Sequence, residues 1–70
     1  MERTLLSVEP ADGCWQVVLG GCLLGSHEGR HDAIALATHF ARTRYEITGE
    51  PTGVVGPIGN GEVVLLEECG

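Results

Sequence analysis

The spacing of apolar residues changes near Arg30 and changes back after Pro51, and those two switches limit the folds open to the chain. Up to His27, apolar side chains alternate with polar ones in short runs punctuated by Gly and Pro. From Arg30 to Tyr45 they recur every three to four residues, and beyond Pro51 the short runs return. A period of two belongs to strands and a period near 3.6 to a helix, so the order read from the sequence is βββαββ.

The punctuation fixes where the strands turn. "TLLSVE" (Thr4 to Glu9) runs into Pro10-Ala11-Asp12-Gly13, residues that a tight turn requires, and "CWQVVL" (Cys14 to Leu19) runs into Gly20-Gly21 before "CLLGSH". A two-residue loop at Gly20-Gly21 sets Leu19 opposite Cys22, Val17 opposite Leu24, Trp15 opposite Ser26 and Cys14 opposite His27. One sheet face then carries Trp15, Val17, Leu19, Cys22 and Leu24, joined by Leu6 and Val8 when the first hairpin closes around Ala11-Asp12. In the helix, Ala33, Ile34, Ala37, Phe40 and Ala41 share one side, with Asp32, His39 and Thr43 opposite. Asp32 near its start and Arg42 and Arg44 near its end agree with the helix dipole, and Gly49-Glu50-Pro51 stops it. "PTGVVGPI" and "EVVLLEE" follow as strands joined around Gly59-Asn60-Gly61.

The fold expected is a single α+β domain over residues 1–70: an antiparallel sheet of four to five strands with one helix on one face. Its core brings together Leu6, Trp15, Val17, Leu24, Ile34, Ala37 and Phe40. A chain of 70 residues is near the lower size for a self-sufficient core, which favours a partner chain.

Charge removes whole classes of function. Ten acidic residues against four arginines and no lysine give a net charge of −6, which opposes nucleic-acid phosphates and anionic membrane surfaces. Trp15, Phe40 and Tyr45 are too few for a base-stacking platform. A basic leader followed by a long apolar run is absent, so neither a secretory signal nor a membrane span is expected. Cys14, Cys22 and Cys69 are an odd number without C-x-x-C spacing, which fits a reduced cytoplasmic protein. Cys69 is expected to be exposed.

The Trp15-Gln16-Val17 strand, the short hairpin after it, the helix reading A-I-x-x-A-x-x-F-A (Ala33 to Ala41) and the glycine-containing hairpin at Gly59 to Gly61 together resemble a family of short bacterial proteins, domain of unknown function 2188. The resemblance covers Cys14 to Leu66. It implies a small α+β fold and carries over no activity and no site residue. The family typically has Thr or Ser with acidic and Lys residues where this chain has Gly29-Arg30-His31-Asp32, and this chain has an additional N-terminal strand.

One string resembles catalytic chemistry. His27-Glu28-Gly29-Arg30-His31 matches H-E-x-x-H, which in zinc peptidases places two histidines one helical turn apart beside a general base. Here the helical pattern begins at Arg30, which puts Gly29 at the N-cap and His27 at a strand end, so the two histidines fall in different elements. A smaller metal site from Cys14 and His27, completed by His31, has suitable ligand types, and it is the alternative reading: a small metal-dependent protein or enzyme. Gly56-Pro57-Ile58-Gly59-Asn60-Gly61 leads into a strand and not a helix, so it is a turn and not a phosphate cradle.

With no triad, no carboxylate pair and no cofactor fingerprint, the leading expectation is a non-enzymatic interaction or structural module without cofactors. A weaker option is an acidic decoy for a nucleic-acid-binding protein. The register that points Trp15 and Val17 inward points Val18 and Leu23 outward, with Leu5 beside them. Val63-Val64-Leu65-Leu66 contributes one of its alternate pairs, Val64 and Leu66 in the expected assignment. One helix covers one face only, so Leu5, Val18, Leu23, Val64 and Leu66 form an expected interface for a homodimer or another protein partner.

Overall fold

A computed structural model describes residues 3–70. Five strands and one helix follow the expected order: β1 (Thr4–Ala11), β2 (Cys14–Leu19), β3 (Cys22–His27), α1 (Arg30–Thr48), β4 (Thr52–Pro57) and β5 (Val63–Cys69). They form one α+β unit, the helix packed on one face of a sheet ordered β3-β2-β1-β4-β5.

The sheet is mixed and not wholly antiparallel. β1 pairs with β4 in parallel, from Thr4↔Thr52 to Ser7↔Val55, while the other three pairings are antiparallel. The helix explains this. It returns the chain along the sheet after β3, so β4 starts from the same end as β1 and β3 and runs with them. By pairing with β1 rather than β3, β4 takes an interior position, makes β1 the central strand and leaves β3 and β5 as edges.

Both N-terminal hairpins depart from the simplest register, with opposite consequences. The first turns at Asp12-Gly13, not Ala11-Asp12, so Leu6 pairs with Leu19 and Val8 with Val17; Gly13 takes φ 72, which suits glycine. That two-residue slip leaves every side chain on its expected face. The second hairpin starts as expected, with Leu19↔Cys22 and Val18↔Leu23, but a bulge then absorbs Leu24 and sets Val17 opposite Gly25, Gln16 opposite Ser26 and Trp15 opposite His27. A one-residue shift reverses the faces beyond it.

The core lies between helix and sheet. Leu6, Val8, Val17, Val54, Ala33, Ala37 and Ala41 are buried, with Trp15, Leu19, Ile34, Phe40 and Leu66 packed around them. Leu24 is 36% exposed, because the bulge carries it to the sheet margin, and it is not a core residue. Cys69 is half-buried against the core opposite Thr52, and not exposed. Among the described residues Thr52 is the buried polar side chain of the core, and its hydroxyl donates to the Ala41 carbonyl at 2.7 Å. The helix closes at Gly49 (φ 74), whose N–H donates to Tyr45 O at 2.8 Å. Arg42 and Arg44 lie short of the last turn, which holds no basic residue.

Ala37 has no exposed surface under the helix. Ala37→Leu is therefore expected to lower stability by ~1–3 kcal/mol in urea unfolding, through overpacking. An unchanged midpoint would show that the helix does not seat on the sheet as described.

Candidate interaction surface

Alternation along the strands sends Leu5, Ser7 and Glu9 of β1, Gln16 and Val18 of β2, and Gly53, Val55 and Pro57 of β4 to the face away from the helix. On β5 the pairings Pro57↔Val63 and Val55↔Leu65 add Val63 and Leu65 to that face. Val64 and Leu66 turn the other way: Val64 pairs with Gly56, whose inward side meets Val8 and Leu66, and Leu66 packs on the core. Of the five expected interface residues, Leu5, Val18 and Leu23 therefore share the outer face, and Val63 and Leu65 stand there in place of Val64 and Leu66.

Pairing across the sheet lines up one row. Leu23↔Val18, Val18↔Ser7, Ser7↔Val55 and Val55↔Leu65 are consecutive partners on β3, β2, β1, β4 and β5. The row reads Leu-Val-Ser-Val-Leu. Its ends are well exposed, Leu23 at 59% and Leu65 at 48%, with Leu5 at 45% and Val63 at 63% beside it. Near the β5 end, Arg3 ties strand ends together: its guanidinium donates to Thr52 O at 2.6 Å and Cys69 O at 3.3 Å, and lies 3.5 Å from the Glu68 carboxylate.

The metal candidates are not brought together. Cys14 alternates with Trp15 and so faces away from the helix, whereas the bulge pairs His27 with Trp15 on the helix side. His31 is exposed in the first turn of α1. Among the described residues, no three His, Cys, Asp or Glu side chains cluster as metal ligands. The HEGRH string spans the end of β3, the Gly29 N-cap and the start of α1, so its histidines lie in different elements. His39 is exposed on the helix.

Beyond Ser7 and Val55 the parallel strands part, leaving a crevice between Pro10 and Pro57 at their carboxyl ends. Such crevices are common ligand sites in α/β sheets. Here Arg30 enters it and is held by the protein itself: Nη2 donates to Pro57 O at 2.9 Å, and the guanidinium sits 5.9 Å from the Trp15 ring. The glycine-rich segment after Pro57 is a turn closed by Ile58 N to Glu62 O at 2.8 Å and by Glu62 N to the Asn60 side chain at 2.9 Å. The sequence gives no sign of the Arg30 clamp, since its partners are distant along the chain. Among the described residues, no helix is long and apolar enough to cross a membrane.

Comparison with family profiles, with curated proteins and with solved structures returned no match to this chain.

Because Cys14 and His27 occupy opposite faces, Cys14→Ser is expected to leave zinc uptake unchanged when both proteins are titrated with zinc and weighed by native mass spectrometry. Loss of a bound zinc on substitution would overturn that placement.

Proposed function

We propose that this protein is a small non-enzymatic interaction module that self-associates through the sheet face opposite its helix. The observation that carries the reading is the Leu23-Val18-Ser7-Val55-Leu65 row. An isologous dimer places a surface against its own copy, so the surface must match itself in size and polarity. A two-fold axis lying between two such faces and passing near Ser7 sets leucine against leucine, valine against valine and serine against serine. This holds whether the axis runs along or across the strands. The two Ser7 hydroxyls would then meet at the axis, where each can donate to or accept from the other.

Exposure of the ends of the row and of the residues beside them supports the same reading. Leu5, Leu23, Val63 and Leu65 present apolar surface that a small domain gains by covering, at about 25 cal/mol per Å² removed from water. A cytoplasmic setting belongs to the proposal, supported by three cysteines that are all free. The resemblance to domain of unknown function 2188 also remains part of it, resting on the Trp15 strand, the alanine-spaced helix and the Gly59–Gly61 hairpin.

Sedimentation equilibrium at micromolar concentration tests the proposal. Wild type is expected to sediment as a dimer. Leu23→Glu and Ser7→Asp, which put charge at the end and at the centre of the row, are expected to shift it to monomer without loss of helix content. A monomeric wild type, or dimers indifferent to both substitutions, would refute self-association through this face.

A further inference from the structure

On the helix side of the sheet, away from the proposed self-association face, lies a second apolar feature. A cleft of about 290 Å³ opens between the C-terminal half of α1 and the Gly20-Gly21 end of the β2–β3 hairpin. Leu6 and Leu19 border it from the sheet, Leu24 and Phe40 flank it, and Ile47 and Arg44 belong to the helix flank at its opening. Its volume is at the lower end of the ~300–1,000 Å³ range of small-molecule sites, enough for one alkyl chain and too little for a partner's helix.

The cleft has a structural origin. Phe40, Thr43, Arg44 and Ile47 recur at helical spacing and form one flank of α1. The alanine seam that seats the helix ends at Ala41, and every residue from Arg42 to Glu50 is exposed. The helix therefore continues past its close contact with the sheet. Across from it the β3 bulge carries Leu24 to the margin. Apolar side chains thus line both sides of a space that none of the described residues fills.

Arg44 decides what would fill it. Among the described residues it is the one charged side chain lining the cleft, in a chain of net charge −6. Arg3 and Arg30 are engaged by Glu68 and by backbone carbonyls, but among the described residues the Arg44 guanidinium has neither a hydrogen bond nor an ion pair. Thr43 adds a hydroxyl at the same rim, while the Thr48 hydroxyl is directed to Arg44 O at 2.8 Å. The nearby helix C-terminus carries partial negative charge and by itself repels an anion. Preference for an anion must therefore come from Arg44, whose planar fork matches one carboxylate.

We infer that this cleft binds an amphiphilic carboxylate, with the alkyl chain against Leu6, Leu19 and Phe40 and the carboxylate on Arg44. Decanoate, decanol and decyltrimethylammonium, each below its micelle concentration, are the probes, titrated into ¹⁵N-labelled full-length protein and followed by amide shifts. Decanoate is expected to saturate one site, with shifts confined to Leu19, Leu24, Phe40, Thr43 and Ile47. It should bind about tenfold or more tightly than decanol, and decyltrimethylammonium more weakly still. Arg44→Gln should bring decanoate down to the affinity of decanol and leave decanol unchanged. Ile47→Glu, at a position 78% exposed and so compatible with the fold, should weaken decanoate and decanol together. Three results would overturn the inference: equal binding of decanoate and decanol with no effect of Arg44→Gln, absence of saturation, or shifts centred on Leu5, Val18 and Leu23. Self-association that is lost in Ile47→Glu would also overturn it, by assigning the cleft to a second copy.

Discussion

The close seating of α1 on the central strands is the constraint on which the other features rest. Ala33, Ala37 and Ala41 are fully buried, and a methyl group is the largest side chain each position needs to offer if the helix backbone is to approach the sheet. The Thr52 hydroxyl, donating to the Ala41 carbonyl at 2.7 Å, fixes the helix to β4 at the point where the chain re-enters the sheet. A hydroxyl buried in an apolar layer is tolerable only with such a partner. The partner also locates β4: with its first residue held under α1, the strand runs beside the central strand β1, inside the sheet. The outer row, whose fourth residue is Val55, depends on that placement.

Much of the fold is legible in the sequence because it follows from local rules. The switch from period two to period 3.6 locates α1, and the glycine pair at Gly20-Gly21 locates a hairpin. Even a turn displaced from Ala11-Asp12 to Asp12-Gly13 keeps Leu6 and Val8 inward, since faces repeat every two residues. Two kinds of information are not local. Which strand lies beside β1 is set by how the helix packs, and no residue of Thr4–Ala11 announces a parallel neighbour. The bulge at Leu24 is equally silent: "CLLGSH" reads the same with or without it, yet it separates His27 from Cys14 and moves Leu24 out of the core.

The candidate surfaces show the same division. Val18, Leu23 and Leu5 can be assigned to the outer face from their own hairpins, but four consecutive apolar residues, Val63-Val64-Leu65-Leu66, contain no alternation from which to choose a side. Gly56 settles it, because the space its missing side chain leaves is taken by Leu66. The symmetry of the outer row becomes visible only once five strands are set in order, and Ser7 viewed alone is an ordinary polar residue of a strand. Arg44 likewise reads as a solvated helix position until the cleft beside it is seen.

Both register breaks in the sheet fall on its outermost strands, Leu24 on β3 and Leu66 on β5. An extra residue bends a strand and interrupts the even row of N–H and C=O groups that a neighbouring sheet would need as a template. On β3 this matters most, because Cys22 to His27 includes neither Asp, Glu, Lys nor Arg to repel an incoming strand, whereas β5 also has Glu67 and Glu68. Growth by lateral addition of sheets is thereby discouraged at both margins of the molecule. Contact through the broad face is finite by geometry, since a face once covered has nothing left to offer a third copy. In a domain of this size with two exposed strand edges, the breaks thus act against growth into fibres.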